Sequence, residues 1–259
     1  MPSLVLFGHG ASEGEASSAP VRAHAAAIVR MGIFDQVQVG FWKEAPRWHE
    51  AVGPVSVEPI AVVPFFMSDG YFVREVLPRE LARGGRAASV SAPVGTDARL
   101  GAVIEALALE AIGGEAAAGD VALALVGHGT SRSGSSRRAA LEHAARLGER
   151  GVFAQVVAVF TDDAPRVEEA LSLCEGREVV AVPFMSAEGY HTRETIPASL
   201  GWAGSGGREV PFRVGGRRVW LAGALGGTPH VSSVILSRAA EALGGPLPAS
   251  GSVITQALW

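Results

Sequence analysis

Residues 2–10 read PSLVLFGHG, and residues 121–129 read VALALVGHG, 119 positions further along the chain. In both stretches an apolar run ends in Gly-His-Gly, which is typical of a buried parallel strand followed by a tight turn. Other segments repeat at the same offset: Ala45-Pro46-Arg47 with Ala164-Pro165-Arg166, Pro64-Phe65 with Pro183-Phe184, Gly70-Tyr71 with Gly189-Tyr190, and Arg74-Glu75 with Arg193-Glu194. The chain therefore contains one structural unit twice.

Each copy alternates short apolar runs with helical patterns. The predicted strands are Leu4–Phe7, Val37–Phe41 and Ile60–Pro64 in the first copy, and Val121–Val126, Val156–Phe160 and Val179–Pro183 in the second. The first helices present apolar faces at helical spacing: Val21, Ala25, Ile28 and Val29, and then Ala140, Ala144 and Leu147. A second helix is expected to open near each Ala-Pro-Arg segment, since the first turn of a helix tolerates proline.

This alternation predicts an α/β fold with two tandem domains. Each domain is expected to hold a parallel sheet of about four strands flanked by helices, and the duplication predicts a pseudo-twofold relation between them. Residues 1–112 form the first predicted domain, residues 113–120 a Gly/Ala-rich linker, and residues 121–259 the second domain. After Pro197 the second copy is 13 residues longer, and the glycine-rich stretch Gly201–Gly216 holds the insertion.

Composition and charge limit the class of protein. Of the 259 residues 48% are hydrophobic and 19% are charged, which predicts a folded core. The net charge of −4 argues against a nucleic-acid partner. A single cysteine, Cys174, excludes an internal disulfide and is expected to be a small buried residue. Because there is no signal peptide and the longest uncharged run (219–237) contains a Gly-Gly-Thr-Pro turn, we expect a cytoplasmic protein with no membrane partner.

Two histidines of the second copy are expected to meet. In parallel sheets, ligand-binding groups gather beyond the carboxyl ends of the strands. His128 follows the first strand of this copy and His191 follows the third. Imidazole is both a good ligand for borderline divalent metals and a base near neutral pH. This pair therefore predicts a metal-binding and catalytic site at His128 and His191, against the alternative of two hydrogen-bonded structural histidines.

The first copy lacks this pair. The counterpart of His191 is Phe72, so His9 stands alone. The loops after Gly-His-Gly also differ, because the second copy carries Ser131, Arg132, Arg137 and Arg138 where the first copy is acidic. Arginines near a helix start suit carboxylates, so these four residues are predicted to bind an anionic substrate. The alternative is a solvated helix start.

The second copy reads Gly-His-Gly after its first strand and Pro-Phe-x4-Gly-x-His-x-Arg-Glu-x-x-Pro after its third. With both motifs at matching spacing, nearly the whole chain resembles the sirohydrochlorin chelatases of the CbiX type, whose longer members carry the unit twice. The resemblance implies two chelatase-like domains facing a cleft and a lyase-type enzyme of cobalamin or sirohaem biosynthesis. It implies no permanently bound cofactor: the substrates are Co²⁺ or Fe²⁺, or in some members nickel, and a carboxylate-rich tetrapyrrole.

The resemblance also assigns residues. Its two motif histidines fall on His128 and His191, which would bind the metal and accept pyrrole protons. Glu194 is a candidate proton acceptor or outer ligand, with a charge pair to Arg193 as the structural alternative. His9 is a candidate for contact with the macrocycle from the cleft, with a vestigial residue as the alternative. Trp42 is a candidate for stacking on the macrocycle, with an aromatic residue in the cleft wall as the alternative. One chain would supply both halves of the cleft, which predicts a monomer.

Two departures and two rival functions follow. Ala11 and Thr130 replace the usual serine after Gly-His-Gly, and Phe72 puts activity of the first copy in doubt. A rival from another class is a non-catalytic protein that binds a tetrapyrrole or a metal. A phosphatase with a histidine nucleophile would need Arg-His-Gly, but both copies lack that arginine.

Several other polar residues are weaker candidates for the site or are expected to be structural. Asp162 and Asp163 follow the second strand of the second copy and either pass metal inward or cap the next helix. His230, at a helix start, is a further candidate for the cleft. Structural roles are expected for the remaining histidines, His24, His49 and His143.

Overall fold

A computed structural model describes residues 1–11, 17–129, 134–202 and 210–248. The chain divides into two compact units. The first consists of Met1–Asp97 together with Pro229–Trp259, and the second of Ala98–Thr228. Within the described part, no helix is both long and apolar enough to cross a membrane.

The elements follow the predicted alternation. Residues 1–97 form β1 (Ser3–Gly8), α1 (Ala19–Met31), β2 (Gln36–Phe41), α2 (Trp48–Val52), β3 (Ile60–Pro64), a π-helical turn (Phe72–Val76), α3 (Leu77–Gly84) and β4 (Ser89–Val90). Residues 98–228 form α4 (Leu100–Ile112), β5 (Val121–Gly127), α5 (Ser135–Arg150), β6 (Gln155–Phe160), α6 (Ala170–Leu173), β7 (Glu178–Pro183), a second π-helical turn (His191–Thr195), α7 (Ile196–Ser199), β8 (Phe212–Val214) and β9 (Arg217–Leu221). The last described helix is α8 (Val231–Ala242).

The first unit is built on a parallel sheet with strand order β2-β1-β3-β4. Every residue of β1 and β3 is buried, which is why these runs are continuously apolar rather than alternating. Val21, Ala25 and Ile28 of α1 are buried, as the helical spacing predicted. The predicted α/β architecture is confirmed in this unit.

The second unit repeats the sheet and adds a strand. Its order is β6-β5-β7-β9-β8, with β5, β6, β7 and β9 parallel and β8 antiparallel to β9. The extra strand lies in the glycine-rich insertion, and Gly215 and Gly216 have φ of 56° and 79° in the turn that joins β8 to β9. Two successive residues with positive φ favour a tight hairpin. The insertion therefore extends a parallel sheet with one antiparallel edge strand.

The helical segment of each copy begins directly after Ala-Pro-Arg, near where the sequence predicted it, but the proline lies before the first turn rather than in it. α2 begins at Trp48, because Arg47 is extended (φ −68°, ψ 158°) and acts as N-cap. The backbone N–H of Arg47 donates to the Glu50 carboxylate at 2.6 Å, which satisfies the N-cap backbone group at the start of the helix. The corresponding segment of the second copy forms a short 3₁₀ turn, Val167–Glu169, before α6.

The compact units do not coincide with the sequence repeats. α4 ends the first repeat in sequence, but it belongs to the second unit, where it contacts β7 and α5. α8 ends the second repeat and belongs to the first unit, where it contacts β3 and α1. Each unit therefore contains a last helix that comes from the other repeat.

Candidate metal and proton-transfer site

Steric contacts explain both glycines of the Gly-His-Gly motif in the second copy. A Cβ on Gly127 would lie 3.0 Å from the Phe160 ring, and a Cβ on Gly129 would lie 2.7 Å from Cβ of Asp163. Gly129 also has φ of +69°, in the left-handed region that favours glycine. The chain therefore leaves β5 in a turn that only small residues permit, and this turn places His128 beyond the strand's carboxyl end.

The structure brings His128 and His191 together. Their ring centroids are 5.0 Å apart, with the ring planes at 57°. His191 is the first residue of the π-helical turn after β7, the strand beside β5. Turns of this kind are frequent at functional sites. Two loops distant in sequence thus converge at one edge of the second sheet.

The surroundings of His128 fix its tautomer. Its Nδ1 lies 3.1 Å from Oδ2 of Asp162 and 3.2 Å from Oγ1 of Thr161. The Thr161 hydroxyl donates its proton to the carbonyl oxygen of His128 at 2.9 Å, so it faces Nδ1 as an acceptor. Two oxygen acceptors at Nδ1 favour the tautomer that carries its proton there. The lone pair of Nε2 is then available for a metal ion or a proton.

Asp162 belongs to the site, although the sequence alone did not decide whether it passes metal inward or caps the next helix. Its carboxylate is about half exposed beside His128 and does not cap a helix. Asp163 turns back to the protein instead, accepting the Ala164 N–H at 2.8 Å and pairing with Arg137 at 3.3 Å. The signal for Asp162 was its place at the end of β6, but the sequence did not show which of two adjacent aspartates faces the histidine.

His9 has different neighbours in the first unit. Its ring packs edge-on against Phe72, with centroids 4.9 Å apart, and its Nδ1 lies 2.9 Å from the Gly10 carbonyl oxygen. Lys43 stands at the position of Asp162. The backbone N–H of Lys43 donates to the His9 carbonyl oxygen, and the backbone N–H of Asp162 donates to the His128 carbonyl oxygen in the same way. A cation and an apolar ring thus replace a carboxylate and an imidazole.

Trp42 belongs to an aromatic cluster in the first unit. Its ring centroid lies 6.1 Å from that of Phe72 and 6.0 Å from that of Trp48, and Phe66 stacks on Phe72. Trp42 is only partly buried, so one part of the indole stays accessible. Both earlier readings of Trp42, a wall aromatic and a stacking surface, fit this position.

The basic loop is described only in part. Ser131 and Arg132 lie outside the described residues. Arg137 is already engaged: it hydrogen-bonds to the Ala164 carbonyl oxygen, pairs with Asp163 and lies 5.3 Å above the Phe160 ring. Arg138 is exposed on the first turn of α5. Of the two arginines in the first turn of α5, Arg138 is therefore the freer to meet a substrate carboxylate.

Glu194 lies on the same π-helical turn as His191 and is exposed. Within the described residues it makes no hydrogen bond or ion pair with either imidazole of the pair. The expected charge pair between neighbouring arginine and glutamate is absent in the first copy, where Arg74 pairs with Asp69 at 2.8 Å and Glu75 with Arg79 at 3.4 Å. Adjacent helical side chains point in different directions, which explains this correction.

The remaining histidines have other surroundings. His24 and His143 are buried on α1 and α5 and pack against Phe65 and Phe184, which confirms their structural role. His49 pairs with Glu80 at 2.8 Å, also a structural contact. His230 is exposed as the N-cap of α8.

Among the described residues no group of three or more His, Cys, Asp or Glu side chains is arranged to hold a metal ion. The site thus consists of two imidazoles and the carboxylate beside one of them. Paired imidazoles beyond the carboxyl ends of a parallel sheet, on a duplicated unit, define an α/β protein that handles metals.

The family follows from comparison with known proteins. The chain belongs to the CbiX family, whose model matches residues 3–111 and 122–242. A relative from Halobacterium salinarum, named "Probable sirohydrochlorin cobaltochelatase", is 36% identical over 268 residues, covering 93% of this chain and 92% of the relative.

Solved structures share the fold. A multi-domain protein of Deinococcus radiodurans, described as structurally similar to chelatases, is 28% identical with a TM-score of 0.79. The match covers 93% of this chain but only 54% of that protein. SirB from Bacillus subtilis, solved with Fe³⁺, is 20% identical with a TM-score of 0.73, and the match covers 94% of this chain and 98% of SirB.

Proposed function

We propose that this protein inserts a divalent metal ion into sirohydrochlorin or a similar carboxylated tetrapyrrole. The observation that carries the proposal is the pair of His128 and His191, with centroids 5.0 Å apart, beside Asp162. The CbiX family and the 36% identical relative named as a cobaltochelatase support it. Because of that relative we propose Co²⁺ as the first metal to test, with Fe²⁺ and Ni²⁺ as alternatives.

The reaction exchanges two protons for one metal ion. Two pyrrole N–H bonds break, the nitrogen lone pairs bind the ion, and the two protons must leave the macrocycle. Nε2 of His128 is the proposed metal ligand, because Asp162 and Thr161 favour the proton on Nδ1. Once the ion has passed to the pyrrole nitrogens, the lone pair of Nε2 is free again and can accept one of the two released protons. His191 supplies the second imidazole.

Further residues are proposed to bind the substrate. Arg138, exposed near the site, is proposed to meet a carboxylate, together with Ser131 and Arg132. Trp42 and His9 are proposed to contact the macrocycle from the first unit, and Glu194 to take up protons from the pair. Since one chain carries both repeats, we propose that it acts as a monomer, which light scattering tests.

Anaerobic incubation with sirohydrochlorin and each metal in turn tests the function. The expected result is a change in the tetrapyrrole absorbance that is faster with enzyme than without it and proportional to enzyme concentration. A protein that only binds would change the spectrum once, in proportion to its own amount, without turnover. That outcome would replace the proposal by the rival function.

A further inference from the structure

We infer that Glu188 and Thr192 are positioning residues that hold His191 in place for metal transfer. Neither residue touches the imidazole pair. Both act through the backbone of the π-helical turn that begins at His191. This inference rests on the proposed function for its catalytic consequence, although the positioning itself is a structural claim.

Glu188 ties two loops together. One carboxylate oxygen, Oε2, accepts the Thr192 hydroxyl at 2.6 Å, and the other, Oε1, accepts the Ala224 N–H at 2.6 Å. Thr192 is on the same turn as His191, whereas Ala224 follows β9. Short hydrogen bonds to an ionised carboxylate are stronger than those between neutral groups. The carboxylate therefore anchors the start of the turn to the next strand end of the sheet.

Thr192 completes the anchor. Its side chain is buried, with 5% of the residue exposed, and its Oγ1 accepts the Gly189 N–H at 2.9 Å. One hydroxyl thus closes the turn from Gly189 to Thr192 while it donates to Glu188. His191 lies inside this closed segment, so its backbone cannot shift without breaking these bonds.

His191 needs such an anchor more than His128 does. The ring of His128 has oxygen atoms at Nδ1, which orient it directly. Nδ1 of His191 is buried and, within the described residues, has no hydrogen-bond partner. The place of the His191 ring is therefore set by its backbone and by packing. A loose turn would move the imidazole relative to its partner.

The first copy lacks the anchor. The counterparts of Glu188 and Thr192 are Asp69 and Val73. Asp69 pairs with Arg74 at 2.8 Å on an exposed surface, and valine has no hydroxyl. Phe72 stands in the place of His191 and is held by aromatic neighbours. The anchor accompanies the histidine, as expected if its role is to place an imidazole.

Three substitutions of the full chain and a fourth as a control test the inference. Thr192→Val removes the hydroxyl at nearly constant volume, and Thr192→Ser keeps it. Glu188→Gln removes the charge but can still accept the Ala224 N–H. Asp69→Asn is the matched control in the first copy. The measurements are kcat and KM for sirohydrochlorin with Co²⁺, the melting temperature, and the ¹⁵N-edited NMR signals of the His191 ring.

We expect Thr192→Val to lower kcat about 10- to 100-fold, the range found when groups that orient a metal ligand are removed. The KM should change little, the His191 ring signals should shift or broaden, and those of His24 should not. Glu188→Gln should give a smaller loss of the same kind, because its amide can donate to Oγ1 of Thr192. The Thr192 hydroxyl can then donate to the Gly189 carbonyl oxygen, which lies 3.0 Å away. Thr192→Ser should restore kcat and the signals, and Asp69→Asn should match wild type.

An anchor that only stabilises the fold would lower the melting temperature and leave kcat and the His191 signals unchanged, and this would overturn the inference. If Thr192→Val does not fold, Glu188→Gln decides by the same criteria. A wild-type protein without turnover would refute the proposed function alone, since the His191 ring signals still report on positioning.

Discussion

Oδ2 of Asp162 lies 3.1 Å from Nδ1 of His128, and Lys43 stands at the equivalent sequence position of the first copy, where its backbone N–H donates to the His9 carbonyl oxygen. A carboxylate at Nδ1 orients the imidazole and raises the basicity of Nε2. Lysine at this position has no carboxylate that could do the same. The two copies therefore differ in charge as well as in their histidines.

Asp162→Asn should lower kcat/KM about 10- to 100-fold, because the amide no longer holds the Nδ1 proton of His128 by charge. The measurement is steady-state chelation at several pH values. Lys43→Ala is the matched control at the equivalent position and should stay close to wild type. A kcat/KM for Asp162→Asn that stays at the wild-type value would contradict this role of the carboxylate.

Removing either imidazole should abolish most turnover. His191→Ala and His128→Ala are each expected to lower kcat about 100- to 10,000-fold, the range typical of a lost general base. The double variant should be little worse than either single one, since groups that act as a unit are not additive. His9→Ala, with Phe72 as its only ring partner in the described residues, should cost much less. The opposite ranking would move the site to the first copy.

Substitutions of the two arginines in the first turn of α5 should have different effects. Arg137→Ala is expected to lower the free energy of unfolding by about 1 kcal/mol, because Asp163 and the Ala164 carbonyl lose a partner at a partly exposed site. Arg138→Ala should leave stability unchanged and raise the KM for the carboxylated tetrapyrrole about tenfold or more. Denaturant unfolding and steady-state kinetics on both variants measure this. An unchanged KM for Arg138→Ala would identify it as a solvated residue.

The buried thiol of Cys174 should be inert in the folded protein. Burial raises its pKa to about 11, slightly offset by Arg217, so the thiol stays neutral at pH 8. Because the folded pKa lies above the unfolded value, the stability that this group contributes is present below pH 9 and is lost as the pH rises toward 11. Labelling with a thiol reagent at pH 8 should follow global unfolding. Rapid labelling of the native protein would contradict the buried position.

A single sequence repeat should not fold alone. Residues 1–112 lack α8, which covers β3 and α1 in the first unit, and carry α4, which belongs to the other unit. We expect this fragment to unfold without cooperativity, because an apolar sheet face and an apolar helix lose their partners. A permuted fragment that joins residues 229–248 to residues 1–97 should unfold cooperatively. Circular dichroism melts compare the two, and a cooperative melt of residues 1–112 would contradict the exchange.

The amino-acid sequence by itself determined the duplication, the strand–helix alternation and the two histidines of the site. These features are encoded locally: apolar runs set the strands, and steric limits fix the glycines around His128. The parallel order then follows, since alternating strands and helices form such sheets. From this, the convergence of His128 and His191 could be predicted before any coordinates.

Only the tertiary structure decided the contacts that depend on side-chain direction and on helix partners. Asp162 faces His128 while Asp163 faces Arg137, although the two aspartates are adjacent. An apolar helical face shows that a helix is covered but not by which sheet, so the exchange of α4 and α8 was not visible. The Glu188 anchor joins loops 36 positions apart. Such contacts arise from packing between distant segments, which no local pattern records.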